Sequence, residues 1–315
     1  MRVFVAGATG VLGRQLAPLL AAAGHEAVGL ARSRARAADW EAVGGTLVTA
    51  DALDRGALLA AVRAAAPDTV VHLLTAIPAD ADPKRLARVF GPTNRLRTEG
   101  TRNLLAAAEQ AGVERVVVQS VAFAYDPAGS GPADEDVPFW PRPPAQFAPV
   151  LDALRELERL AAGAGALVLR LGHLYGPGTM FDPAGGFVAR IRANRVPVVG
   201  RGASVLSFTH VRDAARAIVR GLAADHRGPL NIVDDDPVTM AEWLPYAAHL
   251  VGAAPPRRVP ALLARLVAGG WGVAFMNELR GAANGRAADA IGWRPAYPSW
   301  RPVLAGELRG GTPAR

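Results

Sequence analysis

The opening stretch, MRVFVAGATGVLGRQLAPLLAAAG, constrains the fold more than any other part of the chain. An apolar run ends at Ala6, and Gly7, Gly10 and Gly13 follow in the spacing G-x-x-G-x-x-G, leading directly into the helical RQLAPLLAAAG. Glycine is needed where a strand turns sharply into a helix, where backbone must approach a ligand closely, and where the helix packs tightly on the strand. The helix N-terminus that emerges from such a turn offers free N–H groups and a positive dipole end, which suits a pyrophosphate. Three glycines alone could make a merely structural turn. Between a strand and a helix, at the head of an alternating series, they point to a dinucleotide site formed by Gly7, Thr9, Gly10, Val11, Leu12 and Gly13.

That series runs through the first half of the chain. Apolar runs RVFVAG, EAVGLAR, TLVTAD, TVVHLL, RVVVQS and ALVLRLG alternate with Ala/Leu-rich segments of helical length. Short continuous apolar strands separated by helices predict a parallel sheet covered on both faces. The fold class is therefore α/β, a Rossmann-type doubly wound parallel sheet. After Gly172 the pattern becomes irregular. Helices are expected near Val211–Ala224, Met240–Val251 and Ala261–Ala268, with one more strand in GPLNIVD. The nucleotide-binding part is placed at 1–172 with a returning segment at about 205–235, and a smaller substrate lobe at 173–204 and 236–315.

With 315 residues and 50% hydrophobic content, the chain has enough material for one large or two modest cores. Its apolar run LVAGGWGVAFM is far shorter than the roughly 18 residues of a membrane span. The hydrophobic start is better explained by its glycines than as a signal peptide, so a cytoplasmic location without membrane association is expected. The net charge of +7 comes from arginines scattered among acids, without a basic run carrying interleaved aromatics, and no nucleic-acid partner is expected. Without cysteine there is no thiolate chemistry. Lys84 is the single lysine, and no Tyr-x-x-x-Lys pair exists.

The second strand bears on cofactor choice. An Asp or Glu about 20 residues beyond the glycines usually holds a ribose 2′-hydroxyl. Here that position reads LARSRARAADW, and Arg32, Ser33, Arg34 and Arg36 suit a 2′-phosphate. NADP(H) is favoured, with NAD(H) the alternative and a solvated basic loop the competing reading.

GATGVLG, VTADALD, VVHLLTA, GTRNLLAAAEQAGVERVVVQS, LRLGHLYGPGT, FTHVRDAARAIV and IGWRPAYPSW follow one another in an order that resembles the extended short-chain dehydrogenase/reductases, the NAD-dependent epimerase/dehydratases. The resemblance covers nearly the whole chain. It implies that Asp51, with Ala52, meets the adenine, that Leu74 and Thr75 line the cofactor, and that the C-terminal lobe takes the substrate. The family transfers hydride with a Ser or Thr, a Tyr and a Lys. Here the Tyr and Lys positions fall on Phe147 with Leu151 or Val150 with Leu154, and the Ser/Thr position falls on Val121. The chain thus resembles an atypical branch in which the nucleotide fold persists without the standard triad.

Polar groups just after strands are the substitutes to consider: Ser120, Tyr125, His173 and Tyr175. His173 is the leading proton-transfer candidate, with loop or substrate positioning as its alternative. Ser120 has a competing role at the cofactor edge, and both tyrosines a competing role packed beneath loops. His25 is expected at a turn, His72 as a satisfied core histidine, His210 and Asp213 as organisers of a helix start, and DEDVP (134–138) as a solvated loop. No metal site is readable. Two classes of function remain open. One is an enzyme that reduces, epimerises or dehydrates a moderately apolar metabolite with a non-standard proton donor. The other keeps the fold without hydride transfer, as a cyclase, lyase or isomerase, or as an NmrA-like nucleotide sensor. A homodimer is compatible with either.

Overall fold

A computed structural model describes residues 1–77 and 86–308. Lys84 lies outside the described residues. Seven strands form one parallel sheet: β1 Arg2–Ala6, β2 Glu26–Ala31, β3 Thr46–Thr49, β4 Thr69–His72, β5 Arg115–Val121, β6 Leu167–Leu171 and, further along the chain, β9 Gly228–Ile232. Their order is β9-β6-β5-β4-β1-β2-β3. β1 pairs on one side with β2 (Val5 opposite Gly29) and on the other with β4 (Val5 opposite Val71). The strand order therefore reverses between β1 and β4, and the crevice for a dinucleotide opens at the strands' C-terminal ends there.

Alternation within the strands divides the core into two layers. Val3 and Val5 pack with Leu12, Leu16 and Leu20 of α1 (Val11–Ala22) and, at the other end of the same layer, with Ala214 and Ile218 of the helix Val211–Leu222. Phe4 and Ala6 face the opposite layer, with Leu58 and Val62 of α2 (Arg55–Ala65) and Leu104 of α3 (Thr101–Gln110). All of these core positions are buried.

The opening of the sheet is filled by a second core. Helix α4, Ala148–Gly163, belongs to both: Val150, Leu151 and Leu154 pack into the lobe, whereas Leu157 and Ala161 pack on the sheet. The lobe core also holds Trp140, Phe147, Phe208, Trp243, Trp271 and Trp300. Beyond β6, the short strands β7 (His173–Tyr175) and β8 (Phe208–His210) pair in parallel and carry the chain across this core. Helix α5 (Val211–Leu222) then returns to the sheet, and α6 (Met240–Leu250) joins the lobe.

The helix expected to end at Ala268 instead runs from Ala261 to Asn277, here α7, with Gly269 breaking its axis at φ 73°. The Gly-Gly pair reads as a stop signal in sequence, but Gln146 accepts a hydrogen bond from the Trp271 N–H (3.0 Å), and the helix resumes beyond the break. No helix among the described residues is long and apolar enough to cross a membrane.

Candidate active site

The glycine turn has the geometry its spacing requires. Gly7 has φ +98°, and a Cβ there would lie 2.7 Å from the Leu73 carbonyl oxygen. A Cβ on Gly13 would lie 2.1 Å from the Ala8 carbonyl oxygen, so only glycine lets α1 lie this close to the turn. Gly10 caps α1 without a side chain, which leaves the first N–H groups of the helix for a ligand rather than for a capping oxygen. Thr9 and Val11 are half-buried and Leu12 is buried. The donor set and close backbone approach fit a dinucleotide pyrophosphate.

Beyond β2, Arg32, Ser33 and Arg34 are exposed. Arg34 pairs with Glu41, whereas no acidic partner is seen for Arg32 among the described residues. After β3, Asp51 accepts the Leu53 N–H at 3.0 Å, and the carbonyl of Ala52 accepts Asn103 Nδ2–H at 3.1 Å. After β4, the Leu74 N–H donates to His72 Nδ1 (3.2 Å), so His72 donates from Nε2 to Thr101 Oγ1 (2.8 Å). His72 is buried and satisfied on both nitrogens, and burial pushes its pKa down to about 4. Leu74 and Thr75 border a small cavity with Arg97, Ser120 and Val121.

The four proposed catalytic side chains do not converge. Ser120 donates to Glu158 Oε1 at 2.6 Å. Glu158 in turn holds Arg170, a charged residue inside β6, through contacts of 2.7 and 3.0 Å. Arg170 Nη1–H donates to Tyr125 Oη at 2.9 Å, and the Tyr125 hydroxyl donates to Asn231 Oδ1 at 2.5 Å. The Tyr125 hydroxyl is thus engaged in both directions. Burial pushes its pKa up to about 12, with Arg170 opposing that shift. Tyr175 is 1% exposed within the lobe core, with its ring edge-on to Phe208 and His210.

His173 stands apart. Its Nδ1 lies 3.3 Å from the Ser207 carbonyl oxygen, which can only accept, so the neutral ring carries its proton there. Nε2 is then an acceptor and has no hydrogen-bond partner among the described residues. The ring stacks on Phe123 (centroids 4.7 Å apart) and meets Phe275 edge-on at 5.8 Å. Burial lowers its pKa to about 4. Near neutral pH, His173 is therefore neutral and keeps Nε2 as a buried acceptor among aromatic rings.

The positions expected to correspond to the family's Tyr and Lys are packed. Phe147 stacks on Trp271 at 3.9 Å, Leu151 is 0% exposed, and Val150 and Leu154 are equally enclosed. The loop 134–138 differs from its expected solvated character at Glu135. This carboxylate is buried, accepts the Asn231 N–H at 2.7 Å and faces Arg286 at 3.4 Å, because the return of β9 needs an acceptor at that point. His210 caps α5 by accepting the Arg212 N–H at 3.3 Å, and Asp213 accepts the Tyr297 N–H at 2.9 Å. Sequence reasoning missed Arg97, Glu158, Phe123 and Phe275. For Glu158 a signal existed: Arg170, a cation inside an apolar strand, requires a buried partner.

Residues 3–233 match the model of the NAD dependent epimerase/dehydratase family. The chain belongs to that family. It is 46% identical over 310 residues to a 3-diazoavenalumate denitrifying reductase from Streptomyces sp, covering 98% of this chain and all of the relative. It is 31% identical over 260 residues to the ceramide reductase of Caulobacter vibrioides (80% of this chain, 71% of the relative). Among solved structures, the dTDP-glucose 4,6-dehydratase DesIV of Streptomyces venezuelae, with NAD and TYD bound, superposes with a TM-score of 0.76 at 24% identity, covering 98% of this chain and 96% of that one. That likeness establishes the shared fold.

Proposed function

We propose that the protein is an NADP(H)-dependent reductase that directs hydride to the diazonium group of a small, acidic and moderately apolar molecule, releasing dinitrogen. The observation that carries this reading is an intact dinucleotide cradle beside a catalytic edge with no poised proton donor. Val121, Phe147, Val150, Leu151 and Leu154 are packed, Tyr125 is tied into an ionic network, and the proton of His173 is held by Ser207.

Reduction of a ketone produces an alkoxide, and a protein group must protonate it; loss of that group typically costs about 10²- to 10⁴-fold in rate. A diazonium group differs. In the net reaction R–N₂⁺ + H⁻ → R–H + N₂, one C–H bond forms, the C–N bond breaks and its electron pair leaves in dinitrogen. No oxyanion develops, so an edge without an acid suffices. The full-length similarity to a denitrifying reductase supports the same choice.

The dinucleotide, when bound, supplies the hydride. The chain's own side chains bind and orient. Phe123 and Phe275 offer apolar faces for a planar substrate and exclude water, which would otherwise hydrolyse a diazonium. His173 Nε2 accepts a hydrogen bond from a substrate hydroxyl and so fixes its orientation. Arg32, exposed without an acidic partner beyond β2, meets the 2′-phosphate and favours NADP(H) over NAD(H).

The reading is tested by incubating the protein with an aryl diazonium acid and NADPH deuterated at the transferable position. Expected are cofactor oxidation and dinitrogen release in equal amounts, with deuterium at the carbon that carried the diazo group. A hydroxylated product without cofactor oxidation, or brisk reduction of sugar-nucleotide ketones, would refute it. Arg32→Ala tests the cofactor choice: NADPH affinity should fall while NADH affinity holds, and equal affinities unchanged by the substitution remove the preference.

A further inference from the structure

Arg97 is 5% exposed and carries a buried cation that no carboxylate among the described residues answers. Its Nη1 has no hydrogen-bond partner, and no carboxylate among the described residues pairs with it. Glu158, bonded to the neighbouring Ser120, is committed to Arg170. Buried arginines are ordinarily paired, because an unpaired charge away from water is costly. Burial alone pulls the Arg97 pKa down to about 10, with no acid opposing it, and its charge also disfavours protonation of His72.

The backbone directs the side chain toward the small cavity at the ends of β4 and β5. Helical residues Gly91–Arg95 and α3 are joined through a single π turn, Leu96–Gly100, and the Thr101 hydroxyl donates to the Arg97 carbonyl at 2.7 Å. A π turn inserts one residue into the α register and rotates those beside it, and such turns recur at functional sites. Here the rotation brings Arg97 to the cavity bordered by Leu74 and Thr75 at the end of β4 and by Ser120 and Val121 at the end of β5.

Position in the sheet identifies the occupant. A dinucleotide lies across the point where strand order reverses, one half over each side. The reversal is between β1 and β4. The phosphates belong at the N-terminus of α1, and the adenosine half lies over β1, β2 and β3. What lies over the ends of β4 and β5 is the nicotinamide-side half, whose ribose presents two neighbouring oxygens. A guanidinium fork matches paired oxygens.

We propose that Arg97 is a cofactor-binding residue whose guanidinium holds the ribose oxygens of the nicotinamide-side half of the bound dinucleotide. This rests on the dinucleotide reading above. It gives the chain a cationic contact drawn from a different helix than α4, whose corresponding face is packed.

The test is a set of binding titrations with NADPH, NADH and ADP, the last lacking the second ribose, on wild type, Arg97→Met and Arg97→Lys. Arg97→Met should weaken both dinucleotides about 10- to 100-fold, as expected for loss of a charge-assisted hydrogen bond, and leave ADP within about twofold. Arg97→Lys should recover part of the loss. The unliganded melting temperature of Arg97→Met should hold or rise, since a buried unpaired cation is replaced by an apolar chain. A lower melting temperature together with weaker ADP binding would make Arg97 structural and overturn the proposal. So would unchanged dinucleotide affinity, including the case in which only KM for an acidic substrate rises, which would assign the acceptor to the substrate. Wild type that binds neither ADP nor dinucleotide removes the dinucleotide reading and this proposal together; wild type that binds both, with Arg97→Met indistinguishable from it, removes only the latter.

Discussion

Replacing Tyr125 by Phe separates a framework role from a catalytic one. The hydroxyl donates to Asn231 Oδ1 at 2.5 Å and accepts from Arg170 Nη1 at 2.9 Å. Asn231 is 0% exposed and Arg170 is 7% exposed, so neither gains water when the hydroxyl is removed. The Asn231 amide N–H groups already serve the carbonyls of Ala133 and Ala283, which leaves Oδ1 without its donor. Arg170 keeps Glu158 and the more distant Glu135 carbonyl. A buried acceptor left unsatisfied costs about 1–3 kcal/mol and loss of a bond to a charged group adds a similar amount, so a net loss of about 2–4 kcal/mol is expected. In a chain of this size that corresponds to a fall of about 3–6 °C in Tm. The phenol's pKa is raised in the fold from 10.0 to about 12, so its contribution is complete below pH 10 and lost as pH rises toward 12. Tyr125→Phe should therefore also blunt the alkaline loss of stability in that window. Calorimetry and urea unfolding between pH 7 and 12 read both effects, while single-turnover rates at saturating cofactor should stay within about threefold. An unchanged Tm with a rate loss beyond about 100-fold, the size of a lost proton donor, would refute the framework assignment and return Tyr125 to the catalytic centre.

His173, with a folded pKa of about 4 against 6.5, contributes stability that is full above pH 6.5 and lost as pH falls toward 4. His173→Phe should reduce acid sensitivity in that interval, leaving the part due to His72, as urea unfolding at pH 7.5 and 5 would show. His173→Asn, which keeps a polar group, should retain most of the turnover if the ring only positions substrate; a large loss in kcat with an altered pH profile would instead make it a proton carrier. Asp234 is buried and accepts the Phe208 N–H at 3.3 Å, and burial pushes its carboxyl up to about 8. Its contribution is therefore full below pH 3.8 and lost as pH rises through 8, so Asp234→Asn should become relatively more stable than wild type as pH rises from 6 to 8.5, and parallel stability curves would contradict that ionisation.

The sheet was legible because most of its strands are short runs of buried apolar residues bounded by glycine, proline or polar turns and alternate with segments of helical length, the edge strand β3 being half exposed. The glycine turn was legible for a related reason, since Gly7 and Gly13 occupy places where a Cβ would collide with backbone. Arg97 was not. In the run RLRTEGTR it looks like one more surface arginine on a charged helix, and α-helical periodicity gives it no reason to turn inward. The π turn changes that reason, and a one-residue register change is not encoded in hydrophobic spacing. Glu158 was hidden similarly among ELERL, although Arg170 could have revealed it. At Gly269 the expectation was too short: the helix placed near Ala261–Ala268 continues to Asn277, and beyond the break the Trp271 N–H is accepted by Gln146, a residue more than a hundred positions earlier in the chain.

The packed state of α4 bears on the positions where the resemblance leads one to expect a Tyr and a Lys. Its first half has become the wall shared by the sheet and the lobe: Phe147 is stacked on Trp271, and Val150, Leu151 and Leu154 belong to the same core as Trp140, Trp243 and Trp300. A lysine at Leu151 or Leu154 would enter a site with at most 1% exposure, where an unpaired ammonium either costs several kcal/mol or gives up its proton. The lobe core and a hydrated Tyr–Lys pair therefore compete for one helix face, and in this chain packing has taken it. The polar side chains stand on neighbouring elements: Ser120, Tyr125 and Arg170 in a closed network around Glu158, His173 among aromatic rings, and Arg97 beside the small cavity at the ends of β4 and β5. A lysine introduced on this face of α4 would have to displace that core first, so the packing of the face follows from how the two cores meet.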